Sequence, residues 1–304
     1  MSFFSEMLSL QFMLFTLILV GVVIRRIGLL TEAGSKTLST LLLNVILPCN
    51  IFRAYTSKAD VGGDFARNSI MMIIISALIL LFTMFANRFV FARYPREKSN
   101  VMSYGMLCSN SSFIGIPIVE VLFGDIAVVY TSMFQIPLRF IMWTAGLSLF
   151  TTVDRREAVK KLIKHPCIIA VFAGIAMMLL PIQLPDFITK SVSALSSCTT
   201  PISMIVIGSI LANAPIRSLF SMPVVYFTLL RLVILPLIVY AALQPFGMDR
   251  LLVNICVLMT AMPAGSTTAI LASQYGCDAL FASEIVFTST LFSIVTIPLL
   301  SLLF

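Results

Sequence analysis

The feature that most constrains this chain is a rhythm of apolar runs, each about as long as a bilayer is thick. Crossing a hydrocarbon core of about 30 Å takes roughly 20 apolar residues in a helix. On that ruler, helices are expected near 7–25, 36–56, 67–91, 100–123, 126–150, 166–184, 191–212, 219–243, 251–276 and 280–303. The gaps between them are polar. Arg25-Arg26 closes the first run, Arg93-Tyr94-Pro95-Arg96 follows the third, and a charged linker over 154–165 precedes Pro166. Composition removes the soluble alternative. Residues are 59% hydrophobic and 11% charged, against roughly 25% charged in a soluble domain. An exterior this apolar is tolerated only where lipid is the solvent. The expected fold class is an all-α polytopic membrane protein.

A net charge of +7 would suggest nucleic acid in a soluble protein. Here the basic residues fall in the gaps, with no stripe of Lys and Arg interleaved with aromatics, so no nucleic-acid partner is expected. The gaps after odd-numbered helices hold thirteen Lys and Arg, including Arg25, Arg26, Arg93, Arg155, Lys164 and Arg217. Those after even-numbered helices hold five, Arg53, Lys58, Arg67, Lys190 and Arg250. The positive-inside rule puts the richer gaps in the cytoplasm and both termini outside, with a bacterial inner membrane as the expected location. The run from Leu8 to Ile24 is preceded by Glu6 and no basic residue, so it is expected as a retained helix rather than a cleaved signal. Six cysteines lie singly among apolar residues and the one histidine is His165. That spacing supports neither a metal site nor a disulfide framework, and no cofactor is expected.

Two landmarks recur along the chain. Gly28–Pro48 and Pro181–Pro201 share a polar entry, a Ser/Thr-rich helix start and a closing proline, the final prolines being 153 residues apart. Phe123-Gly124-Asp125 and Tyr275-Gly276-Cys277-Asp278 each close a helix, with glycines 152 apart. The offsets suggest a duplicated five-helix unit, 1–153 and 166–304. An odd number of helices per unit inserts the second copy upside down, as in secondary transporters.

In such repeats the substrate site lies near the midplane, where helices are interrupted by Gly or Pro. The fourth helix carries Cys108-Ser109-Asn110-Ser111-Ser112-Phe113-Ile114-Gly115-Ile116-Pro117, and the ninth carries Met262-Pro263-Ala264-Gly265-Ser266-Thr267-Thr268. Pro117 lacks an N–H and Gly115 is flexible, so the helical ladder is expected to break there. Crossed breaks would present half-helix N-termini to an anion and open carbonyls to a cation. Candidate substrate-binding residues are therefore Asn110, Ser111, Ser112, Gly115, Pro117, Pro263, Gly265, Ser266 and Thr267. Asn44 and Asn50, on either side of Pro48, are candidates for the cavity wall, with helix–helix hydrogen bonding as the alternative. Arg139 and Arg231 fall near the centres of the fifth and eighth helices, where a charge costs at least about 2.5–3.5 kcal/mol. Each is read either as neutralising an anion or as a structural pair, with capping of open carbonyls a further structural role. Glu120 and Glu284 are candidate counter-charges and coupling groups, with a helix-start or interface role as the other reading of Glu284.

These residues resemble the auxin efflux carrier family, whose bacterial members include malonate-transporter-like proteins. The resemblance rests on Asn44-Val45-Ile46-Leu47-Pro48, Asn110 through Pro117, Phe123-Gly124 and Trp143-Thr144-Ala145-Gly146. It implies two inverted five-helix repeats with broken, crossing fourth and ninth helices, and a scaffold bundle against a mobile transport bundle. It also implies organic-anion substrates, with Asn110, Pro117 and Pro263 matching positions that bind a carboxylate. The expected function is secondary transport of a small mono- or dicarboxylate, malonate-, malate- or auxin-like, by alternating access. Expected partners are that anion, the surrounding lipid and a second copy of the chain, with H+ or Na+ as the coupling ion. A sodium/bile-acid symporter of the same fold, a channel and a membrane sensor are the alternatives. The sequence lacks the paired-Asp or GxSxG-like motif of a membrane enzyme.

Overall fold

A computed structural model of the protein describes residues 3–56, 64–151, 156, 160, 163–180, 184–212, 221–265 and 267–304. Among these there is no strand, only helices and one isolated antiparallel bridge. The helices are α1 (Phe3–Arg26), α2 (Glu32–Thr56), α3 (Phe65–Val90), α4 (Arg96–Leu107), α5 (Ser111–Phe123) and α6 (Asp125–Leu149). The second half contributes α7 (Pro166–Leu179), α8 (Asp186–Ser209), α9 (Met222–Phe246), α10 (Arg250–Thr260), α11 (Thr267–Gln274) and α12 (Ala279–Ser301). Six of them, α2, α3, α6, α8, α9 and α12, are long and apolar enough to cross a membrane. The chain is a polytopic helical protein, and most of the charged linker and the gap holding Arg217 lie outside the described residues.

Helix ends follow local chemistry. Thr31 Oγ1 accepts from the Gly34 N–H at the start of α2, Asp249 from Leu251 at α10, and Asp278 from Phe281 at α12. Each satisfies an amide that the first turn leaves without a partner. Gly124 and Gly276, the two landmarks spaced alike in sequence, both take a positive φ, 75° and 69°, where the chain leaves α5 and α11. A side chain there would be strained.

Prolines leave a regular signature inside the helices. Wide π-type turns at Leu42–Ile46, Ser111–Gly115 and Leu230–Ile234 each end two residues before a proline: Pro48, Pro117 and Pro236. A proline cannot donate to the carbonyl four residues back, and its ring crowds that carbonyl. The ladder widens by one residue instead, with Leu47 N–H donating to Leu42 O and Leu235 N–H to Leu230 O. This corrects one expectation. Helix α5 runs through Gly115 and Pro117 without interruption, and the break lies upstream, between Leu107 and Ser111. The ninth segment is interrupted where expected, between Thr260 and Thr267.

The chain forms two compact units, and each draws on both halves of the sequence. The first comprises 1–65, 112–132 and 163–213. In it α1 lies against α8 with Gly21 and Gly208 at the contact, where a Cβ on either would run into the other helix's backbone. Small residues let helices in lipid approach closely enough to gain packing energy. Gly174 of α7 lies under the Tyr55 ring, whose hydroxyl bonds Ser132 Oγ at 2.9 Å. The second unit comprises 66–111, 133–162 and 214–304. Its core gathers Leu80, Tyr104, Leu107, Cys108, Leu138, Leu147 and Leu271, with Met72, Met102, Phe227 and Leu232 fully buried.

Candidate functional site

Within the second unit, the two interruptions meet. Cys108 leaves α4 in an extended conformation, φ −106° and ψ 90°. Ser109 pairs with Ala264 in the antiparallel bridge. Asn110 N–H donates to Pro263 O at 2.8 Å, and Gly265 N–H donates to Cys108 O at 2.8 Å. A Cβ at Gly265 would lie 3.0 Å from Cys108 O, so the close approach calls for glycine. Ala264 N–H donates to Ser289 Oγ at 3.2 Å, and that hydroxyl donates back to Ile285 O at 2.7 Å. Backbone groups freed by breaking two helices are thus paired with each other, as a low-dielectric interior requires.

Polarity at the crossing follows from which helix ends arrive there. Helices α5 and α11 begin just past the paired stretch, at Ser111 and Thr267, where the first turn has no intrahelical acceptors; of those amides, Thr268 N–H donates back to Gly265 O at 2.9 Å. Helices α4 and α10 end there with open carbonyls, and Arg231 from α9 meets those. Its Nε donates to Met262 O at 2.8 Å and its Nη1 to Met106 O at 2.6 Å. Arg231 is 3% exposed and forms no ion pair with a carboxylate among the described residues. Beside it lies a cavity of about 20 Å³, lined in part by Ser76, Thr83, Ser109, Arg231 and Thr260. That is room for about one water.

The other sequence candidates separate. Asn110 is 7% exposed and its carboxamide makes no hydrogen bond to another described residue, so an amide with unused donors and acceptor stands at the crossing. Ser111 is buried, and its carbonyl accepts from Gln135 Nε2 at 3.3 Å. Gln135 Oε1 in turn accepts from Arg139 Nη2 at 2.8 Å, which ties buried Arg139 to the start of α5. Thr267 is half-buried and Thr268 is buried with an unpaired hydroxyl; Ser266 lies outside the described residues. Ser112, Gly115 and Pro117 lie on α5 and pack with the first unit. Asn44, exposed on α2, donates to Thr40 O one turn back, at 2.9 Å.

Asn50 and Glu120 belong to a charge cluster inside the first unit. Arg53 Nη2 donates to Glu120 Oε1 at 2.6 Å and to Asp125 Oδ1 at 2.8 Å, while its Nε donates to Ser196 Oγ at 2.8 Å. Asn50 Nδ2 donates to Glu120 Oε2 at 2.8 Å and to Ser196 Oγ at 3.1 Å. Glu284 differs: it is buried on α12, past the Asp278 cap, and makes no hydrogen bond or ion pair with another described residue. Sequence reading missed Arg53, Asp125, Ser196, Gln135 and Ser289 as structural partners. Arg53 read as a gap charge, and its partners stand 67 to 143 residues away.

A family described as membrane transport protein matches residues 8–161 and 155–301. An uncharacterized transporter of Methanocaldococcus jannaschii is 20% identical over 291 residues, 93% of this chain and 94% of the relative. One of Methanothermobacter thermautotrophicus is 25% identical over 292 residues, covering 94% of each chain. A "Putative malonate transporter" of Rhizobium meliloti is 23% identical over 303 residues, 96% of this chain and 94% of the relative.

Proposed function

We propose, from the premise that this chain belongs to the auxin efflux carrier family of membrane transport proteins, that it is a secondary carrier of small organic anions. It is an integral membrane transporter and not an enzyme. The observation that carries the anion reading is the paired crossing. Two helix N-termini start beside Asn110, whose carboxamide makes no hydrogen bond to another described residue, while the opposing carbonyl ends are covered by Arg231. Fixed amides and a positive dipole end favour a carboxylate without further rearrangement. Asn110, Ser111 and the first amides of α5 and α11 would hold the carboxylate, with Arg139 supporting the start of α5 through Gln135. The malonate named for the Rhizobium relative makes a short dicarboxylate the first substrate to test.

The mechanism in this reading is alternating access between two bundles built from inverted five-helix repeats. It is supported by compact units that each take segments from both halves, and by matching left-handed glycines at 124 and 276. Both termini would face outward, following the basic gaps. A carboxylate that carries a coupling proton must be able to change its charge. Glu120 is held by Arg53 and Asn50, whereas Glu284 has no such donor among the described residues; Glu284 is the better candidate.

Uptake of radiolabelled malonate, malate and an aromatic acid into proteoliposomes tests the reading. One acid should be accumulated by the wild type and lost in Asn110→Ala. Uptake unchanged in that variant would move the site away from the crossing, and no uptake of any acid would remove the organic-anion reading.

A further inference from the structure

We infer that Arg231 is a tethered cation occupying the place where a sodium-coupled carrier would hold its coupling ion, so that this transporter works without sodium. The inference rests on the carrier reading above. In broken-helix transporters, the carbonyls of unwound segments and half-helix C-termini are the groups that bind coupling cations. Here the relevant carbonyls are Met106 O, at the end of α4, and Met262 O, just past the end of α10. One guanidinium takes both, at 2.6 and 2.8 Å.

Charge balance supports the substitution. A helix C-terminus carries about half a negative charge, so two together roughly match the single positive charge of a guanidinium. That accounts for an arginine at 3% exposure with no carboxylate partner among the described residues. A sodium ion sharing these carbonyls would lie about 4 Å from the guanidinium. At an effective dielectric of about 20, repulsion at that distance weakens binding about a thousandfold. The adjacent cavity, about 20 Å³, holds about one water and no hydrated ion. Among the described residues, no cluster of three or more His, Cys, Asp or Glu offers a cation an alternative. A planar fork with five donors also fixes the two helix ends relative to each other, which a mobile ion does only while bound.

The test compares wild type, Arg231→Ala and Arg231→Lys in proteoliposomes and in detergent. Each is assayed with sodium, with N-methylglucamine at equal ionic strength, and with millimolar methylguanidinium. Wild-type uptake should be equal in sodium and N-methylglucamine. Arg231→Ala should lose at least tenfold in uptake and recover part of it with methylguanidinium or sodium; Arg231→Lys, which keeps a point charge in reach, should stay independent of sodium. Thermal unfolding in detergent gives a second reading: these cations should raise the midpoint of Arg231→Ala and leave wild type unmoved. Sodium-dependent wild-type uptake, or an alanine variant whose uptake and unfolding ignore all added cations, would overturn the inference. If the wild type takes up no acid, the carrier reading fails, and the unfolding arm alone decides the role of Arg231.

Discussion

Arg231 is buried and Arg53 only partly so, and the two answer opposite problems. Arg231, in the second unit, spends its donors on two backbone carbonyls and meets no carboxylate. Arg53, in the first unit, spends its donors on Glu120, Asp125 and Ser196, all side chains. The first repairs a backbone that the fold has broken; the second ties helices whose backbones are whole. Broken helices create partial charges that only a buried ion or side chain can meet, whereas intact helices can leave charge pairing to side chains at their surface. The cost of removal should differ accordingly.

The largest effect is expected for Arg231→Ala, which orphans two buried carbonyls at about 1–3 kcal/mol each. Its unfolding midpoint in detergent should fall furthest of all the variants. An effect smaller than that of Arg53→Ala would break the distinction between the two sites. Gly265→Val comes next. Its Cβ would sit 3.0 Å from Cys108 O and push the paired stretch apart, costing about 1–3 kcal/mol. Uptake should fall with stability in this variant, because the half-helix starts move with the pair.

Arg53→Ala leaves Glu120 and Asp125 without their shared cation. These groups are 20 to 30% exposed, so water screens much of the loss and about 1 kcal/mol is expected. Adding Asp125→Asn should restore part of it, and a double-mutant cycle that returned no coupling would remove the ion pairs as a stabilising feature. Asn50→Ala removes donors to Glu120 and Ser196 and should cost about 0.5–1.5 kcal/mol. The smallest stability change, within about 0.5 kcal/mol, is expected for Glu284→Gln, since no partner among the described residues is lost. If Glu284 carries a coupling proton, that same variant should lose the response of uptake to an imposed pH gradient. An unchanged response would remove it from the proton path.

Much of the helical layout was legible in the sequence because bilayer thickness imposes a length on apolar runs. The helices at 32–56, 65–90, 222–246 and 279–301 lie within a few residues of those read from hydropathy. The polar runs around Asn110 and Gly265 pointed to the crossing for the same reason: lipid tolerates open backbone only where something replaces the lost bonds. The exact break in the fourth segment was not legible. Pro117 looked decisive, but a single π-type turn absorbs it, and the chain opens instead where Cys108 to Asn110 finds the extended stretch Pro263 to Gly265 to pair with. Gln135, Ser289 and Arg53 gave no sign of their roles, since an isolated polar residue in a helix looks the same whether or not a partner waits opposite.

The sequence by itself determined that this chain lives in a membrane as a series of helices, and which two segments are weak enough to break. Both properties are set locally, by transfer free energy and by backbone groups that must be satisfied within about one turn. Only the tertiary structure decided that the two breaks pair, that Arg231 covers their carbonyl ends, and that Arg53 gathers two carboxylates. Those outcomes depend on residues as much as 157 positions apart, Cys108 and Gly265, reaching within 3 Å of each other. No local rule of hydropathy or periodicity encodes that proximity; packing of whole helices supplies it.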